Sequence, residues 1–181
     1  MGKINIFKLI TSILICQLAG VIGSFFTAPA IGTWYARLER PSFNPPNWLF
    51  APVWIILFLL MGISLYLVWQ KNWKSEVSVS EQEKKSWNPF STKLWRGPWR
   101  EENAIAIFAI QLVLNILWSV IFFGLKSPGI AFIEILMLWF AILYTIVNFY
   151  RISKPAAYLL IPYILWVSFA SILNFFVWWL N

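Results

Sequence analysis

Three features of the 181-residue chain predict an all-α integral membrane protein, a five-transmembrane-helix bundle. The first is composition: 60% of residues are apolar, 12% are charged and the mean hydropathy is +0.71, which leaves too little polar surface to cover a soluble domain. The second is a set of five apolar runs, at residues 4–26, 48–69, 104–125, 130–150 and 156–180. Each is close to the ~20 residues that a helix needs to cross a ~30 Å hydrocarbon layer. The third is the placement of thirteen tryptophans. Several stand beside prolines, asparagines and alanines inside the apolar runs, whereas interfacial anchoring would put them only at the ends. No polar segment is long enough to build a core of its own, so residues 1–181 are expected to form a single transmembrane bundle domain.

Lys3 and Lys8 stand ahead of the apolar stretch of the first run, as in an export signal, but that stretch outlasts a signal core of about 7–15 residues. Ile15 before Cys16 is too large for a lipoprotein cleavage site, and the opening residues lack the Ser or Thr of an N-myristoylation signal. An uncleaved first helix is therefore expected. Residues 27–47 follow as a loop in which Pro41, Pro45 and Pro46 fix backbone angles and remove donors. Its aromatic residues Trp34, Tyr35 and Phe43, with Trp48, suit either an interfacial belt or a stiff lid over the bundle mouth. Arg37 and Arg40 stand where a ligand carboxylate could meet them. Pro52 and Trp54 open the second helix and put an indole just inside that mouth.

Residues 71–103 read as an extended polar loop of mixed charge, with Trp87, Trp95 and Trp99 able to dip into the membrane surface. In the third run, Gln111, Asn115, Trp118 and Phe122 recur at i, i+4, i+7 and i+11, so two amides and two rings share one helical face. Such amides must find partners inside the bundle or in a wet cavity; interhelical bonding and pocket lining both fit. The fourth run holds Glu134 about one turn in, followed on the same face by Ala141, Thr145 and Asn148. An intramembrane carboxyl is a functional suspect, yet one near the headgroups can simply bond a neighbouring helix. In the fifth run Pro162, Trp166, Ala170 and Asn174 again share a face. Proline invites a kink, and a kink, an indole and a small residue in succession make room for a cavity.

Charge placement gives an expected orientation. Eleven of the fourteen Lys and Arg lie at the amino terminus or in the connections after the second and fourth runs, which by the positive-inside rule makes the amino terminus cytoplasmic. The net charge of +7 thus reads as topology, and no nucleic-acid partner is expected because the basic residues are scattered and mixed with glutamates. There is no histidine, and Cys16 is the single cysteine, inside the first helix. That removes most metal sites, Ser-His-Asp and Cys-His triads and His-ligated haem. No glycine-rich phosphate loop is present. No metal or resident cofactor is expected, and any catalysis would fall to aromatics, amides or a carboxyl.

Spaced motifs through nearly the whole chain resemble the tryptophan-rich sensory proteins of bacteria, the family (TspO/MBR) that includes the mitochondrial translocator protein or peripheral benzodiazepine receptor. They are Trp34-Tyr35, Leu38, Arg40-Pro41-Ser42, Pro45-Pro46, Pro52-Val53-Trp54, Gln111-Leu112, Asn115, Trp118-Ser119, Pro162-Tyr163, Trp166, Phe169-Ala170 and Leu173-Asn174. The resemblance implies a five-helix bundle in a bacterial cell membrane, often a homodimer, that binds porphyrins and related flat ligands under the loop between the first two helices. Carried over residue by residue, it implies a ligand site of Trp34, Tyr35, Pro45, Trp54, Gln111, Asn115, Trp118, Trp166 and Ala170. It also implies that Trp54 and Trp166 would be the catalytic pair if the protein degrades porphyrin in light. With no histidine, a tetrapyrrole would be held by ring stacking and by cationic contacts to its propionates. The chain departs from the animal members at its end: residues 173–180 lack the Tyr and Arg of their sterol-recognition pattern, which argues against sterol binding.

The function expected is therefore a membrane receptor for porphyrins and related flat ligands in a sensory, regulatory or transport role. Tryptophan-dependent photo-oxidative porphyrin degradation is the first alternative, and a membrane scaffold with an incidental pocket is the second.

Overall fold

A computed structural model describes residues 4–85 and 101–181. They form helices α1 (Ile6–Ile31), α2 (Asn47–Lys85), α3 (Glu101–Ser119), α4 (Pro128–Ile152), α5 (Lys154–Leu159) and α6 (Ile161–Leu180). A short 3-10 turn, Tyr35–Arg37, lies between α1 and α2, and a π-helical turn, Val120–Gly124, ends α3. Among the described residues, five segments are long and apolar enough to cross a membrane: Ile6–Ile31, Asn47–Lys71, Ala104–Gly124, Pro128–Ile152 and Lys154–Leu180. The protein is a multi-pass integral membrane protein with a five-helix bundle.

Three boundaries differ from those read in the sequence. Helix α1 continues past Pro29 to Ile31, because a proline near the end of a helix removes a single donor while the chain can finish its last turn. Helix α2 runs on to Lys85, so residues 71–85 are helical rather than loop. No Gly or Pro occurs between Gly62 and Pro89, and the polar stretch is rich in Lys, Glu and Gln, which sustain a helix in water. Trp87, Trp95 and Trp99 lie outside the described residues. In the fifth span the break falls at Leu160, two residues before Pro162. Pro162 sits in the first turn of α6, where its missing donor costs nothing, and the Leu160 N–H closes α5 on the Ala157 carbonyl at 3.1 Å.

Around the bundle, α2 packs on α1, α1 on α3, α3 on α4, and α4 on both α5 and α6. The ring closes through α5, which packs on α2; Ser64 Oγ donates to the Ala156 carbonyl at 2.7 Å. Helix α6 touches α2 far less than α5 does. The fifth span thus seals the end of the bundle near α5, and α6 leaves space beside α2 at the other end. The sealed part holds the main apolar core, with Met61, Val68, Phe108, Leu138, Ile142, Phe149 and Leu160; Phe108 and Phe149 stack at 5.6 Å.

The tightest helix contact lies between α1 and α2. A Cβ added at Gly62 would stand 2.6 Å from the Cα of Ile13, so backbone meets backbone there, as small residues allow in membrane helices. At Gly20 a Cβ would meet the Phe58 ring at 2.6 Å, and the two helices are already separated by a side chain. Glu134 lies inside the bundle at 2% exposure, with neither carboxyl oxygen hydrogen-bonded among the described residues. Thr145 and Asn148 bond back to carbonyls of their own helix.

The Gly62 contact generates a prediction. Gly62→Leu should destabilise the detergent-solubilised protein by about 1–3 kcal/mol through forced separation of α1 and α2. Gly32→Ala, where an added Cβ meets nothing within 4 Å, should stay within about 0.5 kcal/mol. Thermal unfolding followed by circular dichroism checks both.

Candidate functional site

The space left where α6 diverges from α2 is a cavity of about 440 Å³, a size suited to a small organic ligand. Helices α1, α2, α3 and α6 wall it, and Tyr35 of the loop between α1 and α2 contributes to its edge. The structure brings Tyr35, Trp54, Asn115, Trp118, Trp166 and Ala170 together around this one space. The i, i+4 spacing of Trp166 and Ala170 on α6, and the i, i+3 spacing of Asn115 and Trp118 on α3, turn these pairs towards each other.

Three further residues of the expected site do not line the cavity. Trp34 lies behind the wall, packed edge-on against Phe122 with ring centroids 5.7 Å apart. Pro45 belongs to the frame of the loop, its carbonyl accepting from Asn44 Nδ2 at 2.9 Å. Gln111 is fully buried one turn beyond Asn115, with neither amide atom bonded among the described residues. The polar stripe of α3 leaves the cavity at Asn115 because the Asn115–Tyr163 pair closes its floor: Asn115 Nδ2 donates to the Tyr163 hydroxyl at 2.9 Å.

The amides bond between helices and also face the cavity. Trp118 Nε1 donates to Asn174 Oδ1 at 3.0 Å, and Asn174 Nδ2 donates to the Pro128 carbonyl at 2.8 Å. Together with Asn115–Tyr163, these bonds join α3, α4 and α6 and hold the Trp118 ring in place. Phe122 stacks on Trp118 at 5.0 Å. The π turn carries Phe122 and Phe123 into the wall together; regular helical spacing places Phe122 on this face but not Phe123. Trp54 stacks on Phe58 at 5.5 Å and meets Tyr163 edge-on at 6.2 Å. Trp166 is held edge-on by Phe50 at 6.0 Å, and its indole N–H is buried with no partner among the described residues.

Sequence reasoning missed the α1 wall of Gln17, Gly20, Gly23 and Thr27, and the α2 residues Asn47, Phe50, Ala51 and Ile55. A signal for the first set was present: small residues recur every three or four positions from Ala19 to Ala28.

Over the cavity, the loop is tied down at several points. The Tyr35 hydroxyl donates to Asn44 Oδ1 at 3.0 Å. Asn181 and Glu39 exchange a pair of hydrogen bonds, Glu39 N–H to Asn181 Oδ1 at 3.1 Å and Asn181 Nδ2 to the Glu39 carbonyl at 3.0 Å. Phe43 packs edge-on against Phe169 and Phe176 of α6. Arg40 lies over the Tyr35 ring at 5.4 Å, close to the cavity edge; both it and Arg37 of the 3-10 turn are exposed. Burial raises the Tyr35 pKa above the ordinary phenol value, partly offset by the Arg40 charge. The phenol thus stays neutral and a donor near pH 7. No group of three His, Cys, Asp or Glu side chains stands together among the described residues. The site offers flat rings, amides, one phenol and a cation at the rim.

Comparison with known proteins agrees with this architecture. The TspO/MBR family profile matches residues 12–180. A tryptophan-rich protein TspO of Archaeoglobus fulgidus is 42% identical over 177 residues, covering 98% of this chain and 99% of its own. One from Chlorobaculum tepidum is 42% identical over 178 residues, covering 98% of each chain. The human translocator protein is 33% identical over 159 residues, covering 87% of this chain and 80% of its own. A five-helix membrane bundle matched by the family profile almost end to end, with full-length relatives at this identity, belongs to the TspO/MBR family.

Proposed function

We propose that the protein is a membrane receptor for flat, largely apolar ring systems of the tetrapyrrole type, with a sensory or transport role. The observation that carries this reading is one cavity of about 440 Å³ walled by Trp54, Trp118 and Trp166. Indole faces offer broad contact to a planar ring system. The unpartnered Trp166 N–H is a donor that a ring nitrogen or carbonyl of a ligand would satisfy, and a buried donor left unpaired is costly. Arg40 at the rim suits a ligand carboxylate. The names of relatives, a translocator protein in human and a tryptophan-rich sensory protein in Cereibacter sphaeroides, agree with transport and sensing without distinguishing them.

The site residues proposed are Tyr35, Trp54, Asn115, Trp118, Trp166 and Ala170, with Trp34 and Pro45 supporting the roof from outside the wall. Porphyrin degradation is the second reading, favoured by Trp54 and Trp166 lining the same space. An excited porphyrin between them would have two oxidisable indoles in reach.

Titration of the purified protein with protoporphyrin should quench Trp fluorescence saturably. Trp54→Ala and Trp166→Ala should each weaken binding about fivefold or more, since each removes a stacking face worth upwards of ~1 kcal/mol. Trp166→Phe should lose roughly three- to tenfold, the equivalent of one hydrogen bond. Trp179→Ala, on a side chain 73% exposed and outside the cavity, should leave affinity unchanged; equal affinity in all four variants would move the site elsewhere. Under equal illumination, degradation by the indole pair predicts that Trp54→Phe/Trp166→Phe consumes porphyrin far more slowly than the parent. Equal rates reject the enzymatic reading and leave the receptor.

A further inference from the structure

The cavity walls are uneven. At the end of the bundle near α5, α1 and α2 touch backbone to backbone at Gly62 and Ile13. Further along, the Phe58 ring fills the gap at Gly20, and the Gln17 side chain bridges it, Nε2 donating to the Ile55 carbonyl at 3.1 Å. Beyond that bridge, Ser24 and Ala28 of α1 and Ala51 of α2, all small, line the cavity between the two helices. Val21, Ser24 and Ala28 of α1 and Ala51 and Ile55 of α2 line the cavity and are also exposed. Val21 and Ile55 are 50% and 58% exposed, too open for residues of a closed wall. Their neighbours Leu18, Phe25 and Ile56 are exposed large apolar side chains, the surface that a spanning helix presents to lipid.

The roof contrasts with this side. Opening it would break the paired Glu39–Asn181 bonds, the Tyr35–Asn44 bond and the Phe43 contacts with α6. Parting α1 from α2 beyond Gly20 breaks one side-chain hydrogen bond, and single interhelical bonds in membranes are weak. Flat apolar molecules also concentrate in the hydrocarbon layer.

We infer that ligand reaches the cavity sideways from the bilayer, through a window between α1 and α2 edged by Ser24, Ala28 and Ala51 and latched by the Gln17–Ile55 hydrogen bond. The inference rests on the cavity being the ligand site. Gln17 is then a gating residue: its amide satisfies itself on the facing helix when the window is shut and is released when the helices part. The small edge residues keep the opening clear for a planar molecule passing on its edge.

The test uses the full chain in lipid vesicles with Ser24→Cys and Ala51→Cys in a Cys16→Ser background, bridged by a bis-methanethiosulfonate that reductant removes. Binding and release of vesicle-borne protoporphyrin are followed by Trp quenching, and complete bridging is checked by mass. Bridging should slow association and dissociation together, at least tenfold relative to the unbridged double-cysteine protein, and reductant should restore both rates. Gln17→Leu, which keeps bulk but removes the latch, should speed both steps two- to fivefold. Unchanged rates in the fully bridged protein, or a changed affinity carried by one rate alone, overturn the window while leaving the ligand site standing. Absence of saturable quenching in the unbridged protein overturns the ligand site, and the window with it.

Discussion

Hydrocarbon offers no partner to a polar group, and the hydrogen bonds that satisfy the interior side chains of this bundle also decide its shape. Asn115 with Tyr163, Trp118 with Asn174, and Asn174 with the Pro128 carbonyl fix α3, α4 and α6 against one another at the depth of the cavity. Trp139 donating to Ser168 at 2.8 Å adds a further tie between α4 and α6. In water such bonds would compete with solvent and specify little; in a membrane the alternative is an unpaired group. The Trp118–Asn174 bond holds the indole of Trp118, and the Asn115–Tyr163 pair closes the cavity floor. The space is therefore bounded by polar ties and by aromatic rings, and it stays open because α5, and not α6, packs closely on α2.

Packing of α1 on α2 works by a graded series of side-chain sizes. Glycine at position 62 lets the backbones touch, Gly20 admits one aromatic ring, and beyond it small residues leave a gap. Two helices in contact at one end thus separate towards the other, and the cavity occupies the widening space. Residues without chemistry of their own, Gly20, Gly23, Ser24 and Ala51, consequently shape the site as much as the tryptophans do.

The fold was legible because hydropathy in long runs is set by the solvent, whatever the neighbouring helices do. Helix ends were less legible. The polar extension of α2 to Lys85 carries no membrane signal, and the break at Leu160 lies upstream of the proline that suggests it. Within the candidate site, Trp54, Asn115, Trp118 and Trp166 could be read because polar or bulky residues on an otherwise aliphatic stripe are conspicuous, and Ala170 because it is a small residue one turn from an indole. Gln111 shared that stripe, yet only tertiary packing decides where a cavity ends along a helix. Trp34 and Pro45 belong to a loop whose course no periodicity reveals. The α1 wall stayed hidden because small residues look the same whether they pack closely or border an opening.

In the proposed function, the space between Trp54, Trp118 and Trp166 is where a flat ring system binds. Anomalous diffraction from crystals of the protein grown with a palladium-substituted protoporphyrin tests it directly. A metal peak enclosed by those three indoles, with the macrocycle edge within hydrogen-bond reach of Trp166 Nε1, is the result expected. Saturating occupancy found only on the outer aromatic surface, such as the exposed Trp178 and Trp179, with the cavity empty, would contradict it.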